Sequence, residues 1–179
     1  MIMKAKLLLA TCMIMLVSKG YTQGVFHFSN AAARTHIGAI DGPLAGTGIW
    51  AQMLAGPAPG SLSPVGGSAQ HISLNGAAIG LTEGGTTAVP GIQAFQTAYV
   101  QMVAWDGTRW GTVLSGVPPD QLGMTDIVPV LLTSRIGGPP ANIPPFTQPA
   151  IVPIPEPAVL ALAVIGGLGF LLFRRIRHE

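Results

Sequence analysis

Ala98-Tyr99-Val100-Gln101-Met102-Val103-Ala104-Trp105 runs straight into Asp106-Gly107. Tyr99, Gln101, Val103 and Trp105 alternate with Val100, Met102 and Ala104. Successive side chains of an extended chain point to opposite faces, so this period of two predicts a strand with one face on a core. Asp-Gly turns it, and residues 108–114 are expected to pair back.

Other runs repeat the period. In residues 24–30, Val25, His27 and Ser29 take one face, and Phe26 and Phe28 the other. In residues 47–55, Ile49, Ala51 and Met53 alternate with Trp50, Gln52 and Leu54. Gly56-Pro57-Ala58-Pro59-Gly60 ends that run, because proline cannot donate to a ladder and glycine accepts positive φ. Residues 41–46 hold strong turn formers. Residues 61–95 carry weaker signals: a short strand over 69–74, a hairpin turn at Asn75-Gly76, and breaks at Gly84-Gly85 and Pro90-Gly91. Residues 126–133 form a last strand that Pro129 confines to an edge or a bulge. With no sustained 3.6-residue period, the chain is expected to be all-β: a single antiparallel, jelly-roll-like β-sandwich over residues 23–138.

Charge and apolar content are unevenly placed. Of the 179 residues 49% are hydrophobic and 9% charged, but the apolar residues concentrate in 7–17 and 158–173. Between residues 23 and 157 only Arg34, Arg109 and Arg135 are basic, against Asp41, Glu83, Asp106, Asp120, Asp126 and Glu156, a net −3. No basic patch is available to neutralise phosphates, which excludes nucleic acid as a partner.

Residues 1–22 read as a secretory signal peptide. Lys4 and Lys6 precede an eleven-residue apolar run at 7–17, too short to span a bilayer, where about 20 residues are needed. An uncleaved N-terminal anchor is the alternative. The single cysteine, Cys12, lies inside that run, so the mature chain is expected to fold without disulfides.

At the other end, eight of the nineteen residues 139–157 are proline. Residues 139–154 are therefore expected to form an extended linker, a stalk of about 50–60 Å if the whole proline-rich run is stretched out. Residues 158–173 carry no charged or polar side chain. As a helix they would run roughly 24 Å, short of the bilayer's ~30 Å hydrocarbon core, so snorkelling arginines are expected to complete the span. Arg174, Arg175 and Arg177 follow and predict a cytoplasmic C-terminal end with the β-domain outside.

Glu156 lies between Pro155 and Pro157, each of which narrows the conformations of its neighbourhood. A Pro-Glu-Pro step, an apolar span and an Arg-Arg end, in that order over 155–179, resemble the PEP-CTERM sorting signal, the substrate tail of bacterial exosortases. Ala158 stands where the family often has Ser or Thr. The body is similar to a subset of small secreted members through Gly24-Val25-Phe26-His27-Phe28-Ser29-Asn30, Gly48-Ile49-Trp50-Ala51-Gln52-Met53-Leu54-Ala55-Gly56-Pro57 and Ala104-Trp105-Asp106. The resemblance implies an exported protein, first anchored in the inner membrane through 158–173. An exosortase then processes it at Pro155, Glu156 and Pro157 and delivers it to the envelope or extracellular matrix, often in association with exopolysaccharide. It implies no defined molecular activity.

Catalysis is not expected. His27, His36 and His71 fall in no metal-binding spacing, no Gly-x-Ser-x-Gly elbow is present, and Ser29, His36 and Asp41 make a triad only on paper. No cofactor and no metal site are expected, since the acidic residues form no calcium loop. The sharper alternative is carbohydrate binding: Trp50, Trp105 and Trp110 have rings that stack on sugars, with Asp106 and Arg109 beside them. Against it, Trp50 and Trp105 are expected to fill the core, as large aromatics usually do, leaving Trp110 as the exposed one. The possible ligand contacts are thus Trp110, Arg109 and Asp106.

Overall fold

A computed structural model of the chain describes residues 23–31, 33–46, 48–66, 70–73, 76–135 and 138–153. The expected signal segment 1–22, the motif Pro155, Glu156 and Pro157, the apolar span 158–173, and Arg174, Arg175 and Arg177 lie outside them.

Among the described residues strand is the dominant regular structure, with almost no helix. The alternating stretch quoted above becomes β7 (Thr97–Asp106), the centre of a sheet. It pairs antiparallel with β3 (Ile49–Gly56) over eight positions, from Ile49↔Asp106 to Gly56↔Tyr99. The far edge of β3 carries the short strands β4 (Ser63–Pro64) and β5 (Gln70–His71), and the far edge of β7 carries β8 (Gly123–Met124) and β9 (Val128–Leu131). Pro129 falls opposite Tyr99 on that outer edge, as expected of a residue without an N–H.

A second sheet centres on β1 (Gln23–Ser29). Along one edge it pairs antiparallel with β6 (Glu83–Gln93); along the other it takes β10 (Thr133–Ser134) antiparallel and then β11 (Ala141–Asn142) parallel. A third, two-stranded sheet joins β2 (His36–Ile37) to β12 (Ile151–Val152), also in parallel. The pairing is therefore not purely antiparallel. One apolar cluster draws on all three sheets: Phe26, Phe28 and Val89; Met53, Val100, Met102 and Leu132's neighbour Val130; and Val152.

Three local readings give way to the tertiary structure. Gly84-Gly85 and Pro90-Gly91 do not break the chain; both pairs lie inside β6. A Cβ at Gly84 would stand 2.2 Å from the Phe28 ring, and Gly85 has φ +72°, so the glycines let the strand bend closely past Phe28. Register shifts at Gln23/Val25 and Phe28/Ser29 mark the irregularities. Residues 108–114 do not pair back. Asp106 instead caps one helical turn, α1 (Gly107–Trp110), and the chain then crosses the outer face of β7.

The proline-rich segment is not a free stalk over its described length. Phe146, Ala150 and Val152 are in the core, and residues 141–142 and 151–152 are strand. Proline removes a donor but keeps its carbonyl, and carbonyls of the segment accept from the body of the fold. Ala150 O accepts from His36 N–H and Val152 O from Gly38 N–H, both at 2.9 Å, and Pro139 O accepts from the Thr133 hydroxyl at 3.0 Å.

Candidate functional site

The tryptophans share one region. Trp50 and Trp105 lie directly opposite each other in the β3–β7 register, on the face turned away from Phe26 and Phe28. Trp105 is fully buried there, and its indole N–H donates to Gly111 O at 2.8 Å. A second apolar cluster forms around Val103, Trp105 and Val117, with Trp50, Leu54, Trp110, Leu114 and Leu122 at its margin. Trp105 thus fills a core as expected, but a second one outside the main cluster.

Glycine sets the entry to α1. Gly107 N–H donates to Gly48 O at 2.7 Å, and a Cβ on Gly107 would stand 2.3 Å from the Trp50 ring. On its other side Trp50 meets His71 edge-on, with ring centroids 5.1 Å apart and planes at 87°.

The three expected ligand contacts fall on this one turn. Asp106 Oδ1 accepts from Thr108 N–H at 2.9 Å and from the Thr108 hydroxyl, so the carboxylate serves as the helix cap. Arg109 is exposed, with its guanidinium 4.9 Å from the Trp110 ring centroid. Trp110 is half-buried rather than exposed, because residues 111–122 fold back and bring Leu114, Val117 and Leu122 alongside it. One ring face carries Arg109, so a sugar stacking on that face must displace the guanidinium.

In the sketched triad, Ser29 Oγ accepts from Ala31 N–H at 3.3 Å. His36 Nδ1 is bonded to Gly42 O at 2.9 Å, and His27 pairs at the surface with Glu83 at 3.7 Å. Among the described residues no group of three or more His, Cys, Asp or Glu side chains is placed to hold a metal ion.

Two residues that motif reading left without a role organise the chain elsewhere. Asn30, the last residue of the Gly-Val-Phe-His-Phe-Ser-Asn run, is buried. Its Nδ2 donates to Gly80 O at 2.9 Å and to Thr35 Oγ1 at 3.3 Å, and its Oδ1 accepts from Thr82 N–H at 2.7 Å. Clefts flank it: one of about 380 Å³ between Ser29, Ala31, Ser73, Leu81 and Glu83, and one of about 80 Å³ between Ser29 and Pro144–Phe146.

Asp126 is the second. Oδ1 accepts from Thr147 N–H at 2.9 Å and Gln148 N–H at 3.0 Å, and Oδ2 from the Thr147 hydroxyl at 2.8 Å. Partial burial pushes its pKa up, but the bonds from Gln148 and Thr147 outweigh that and hold the carboxyl below its ordinary value. A lone aspartate three residues before a proline gives no sequence signal for such a clamp, since its partners lie 21 and 22 residues away.

Comparison with family models, with curated proteins and with solved structures finds no match to this chain.

Proposed function

We propose that this is a non-catalytic envelope protein, exported through its N-terminal segment, anchored through residues 158–173 and sorted by an exosortase at Pro155, Glu156 and Pro157. The observation that carries the reading is the order of the tail: Pro-Glu-Pro, sixteen residues without charge, then Arg174-Arg175-Ile176-Arg177. A plain anchor leaves Glu156 without a role; the sorting reading gives it one. We further propose that the two larger sheets stack as a sandwich, a reading supported by the apolar cluster to which both contribute. An experimental structure with Phe26 and Met102 in separate cores would remove it.

Intact-mass measurement on the mature protein, from a host with an exosortase, tests the sorting. Loss of residues 158–179 is expected. Their retention would leave a permanently anchored type I membrane protein. Glu156→Ala is expected to accumulate precursor; processing at the wild-type rate would remove Glu156 from recognition.

A surface-held carbohydrate-binding module is the second reading. It is favoured by one feature, the placing of Asp106, the exposed Arg109 and the half-buried Trp110 on a single surface turn. Affinity electrophoresis through matrix polysaccharides decides it: retardation lost in Trp110→Ala supports it, and unretarded wild-type protein removes it.

A further inference from the structure

The turn that follows β2 is built tightly and presents an apolar tip. Gly42 N–H donates to Ala39 O at 3.0 Å, closing a four-residue turn with Ile40 and Asp41 at its corners. Behind it, Ile37 N–H donates to Pro43 O and His36 Nδ1 is bonded to Gly42 O, each at 2.9 Å. No Cβ fits at Gly42, where it would stand 2.2 Å from Ile37 O, and Gly38 has φ +78°. Ile40 is 62% exposed at this tip. It contributes nothing to either apolar cluster, and a turn corner ordinarily takes a polar residue.

The chain leaves the fold beside that tip. β12 runs parallel to β2, so both strands head in one direction: β2 into the turn, β12 into Pro153 and the tail. Gly38 N–H donates to Val152 O at 2.9 Å, which fixes the exit against the base of the turn. Five residues carry the chain from Pro153 to Ala158, a reach of at most about 18 Å whatever their conformation.

Resting on the anchor reading above, we propose that in the membrane-held precursor the 38–43 turn lies on the bilayer surface with Ile40 in the headgroup region. The occupant of this apolar tip is lipid. Asp41 stays on the aqueous side, and the domain stands against the membrane rather than on a stalk. The turn after β6, with Phe95 75% exposed, is the opposite pole. β12 adjoins Gly123, which pairs with Ala104, seven residues or about 23 Å along β7 from Thr97.

The test uses the full chain carrying Cys12→Ser, with a single environment-sensitive fluorophore on Ile40→Cys or Phe95→Cys. The protein is reconstituted in vesicles of phosphatidylcholine and phosphatidylglycerol. The proposal expects the protein to float with the vesicles. The label at 40 should emit to the blue and lose most of its emission to a lipid-borne nitroxide, while the label at 95 is quenched by aqueous iodide alone. Flotation with position 40 as open to iodide as position 95 would overturn the membrane contact and leave the anchor standing. Position 40 shielded from both quenchers would mean that protein covers it, which also overturns the proposal. A chain that fails to float would remove the anchor reading, and this inference with it.

Discussion

Asn30 and Asp126 show how single polar side chains hold this fold at points where strands end. Asn30 satisfies Thr82 N–H just before β6 and adds a second donor to Gly80 O, which also accepts from Thr35 N–H. Asn30→Ala would orphan the Thr82 N–H, costing about 1–3 kcal/mol, while Gly80 O keeps the Thr35 N–H, so a loss of about 2–3 kcal/mol is expected from urea unfolding midpoints. Asn30→Asp should cost at least as much, because it removes the donor to Gly80 and adds a buried charge. Asp126 makes a pH-dependent contribution. Its folded-state pKa is depressed, so its stabilisation is complete above the ordinary aspartate value near 4 and is lost as pH falls through the lower folded value. Asp126→Asn is expected to lower stability by about 1–2 kcal/mol at neutral pH. The gap between mutant and wild type should close on acidification below pH 4, measured as denaturant midpoint against pH. A gap constant down to pH 2 would show that the charge is not what the clamp uses.

At the scale of elements, the proline-rich segment is a strap. Phe146 is 3% exposed and Ala150 fully buried, so the strap belongs to the same cooperative unit as the sheets. Phe146→Ala should destabilise the whole domain by about 3–5 kcal/mol, and a chain ending at residue 138 should fail to fold cooperatively by circular dichroism. A free stalk predicts no loss in either case. Limited proteolysis of the full chain should likewise spare residues 141–152 until the domain unfolds. β6 makes the complementary point about glycine. Gly84→Ala puts a methyl group into the Phe28 ring and is expected to cost about 1–3 kcal/mol, which thermal unfolding would read. At Gly111, where a Cβ meets nothing, only the φ of +80° opposes substitution, so Gly111→Ala should cost less.

Over the whole molecule, the strap changes what the tail can do. A stalk would let the proposed sorting motif roam tens of ångströms from the domain. With Val152 in the core, Glu156 lies three residues beyond Pro153, within about 11 Å of it. Any enzyme acting at the motif must therefore work beside the folded domain. Inserting ten Gly/Ser residues after Pro153 is expected to speed processing in a host with an exosortase, measured by the precursor-to-mature ratio over time. An unchanged ratio would mean that the domain does not obstruct the enzyme. The same geometry separates the 38–43 turn, beside the exit, from the Phe95 turn, away from it.

Much of this was legible in the residues. A period of two is a local property of the chain, so β1, β3 and β7 are readable from the alternation of Phe26/Phe28, Ile49/Ala51/Met53 and Val100/Met102/Ala104, and with them the all-β class. Pro129 at a sheet edge follows from its missing N–H alone. The tail's order of Pro-Glu-Pro, apolar run and arginines is likewise complete in the sequence. Other features were settled only by the tertiary structure, because each depends on atoms far away along the chain. Gly84 and Gly85 read as a break until Phe28 is seen lying against them. Trp110 reads as exposed until residues 111–122 fold back over it. The proline-rich run 139–153 reads as a stalk until His36 and Gly38 are seen donating to Ala150 O and Val152 O, and Thr133 to Pro139 O.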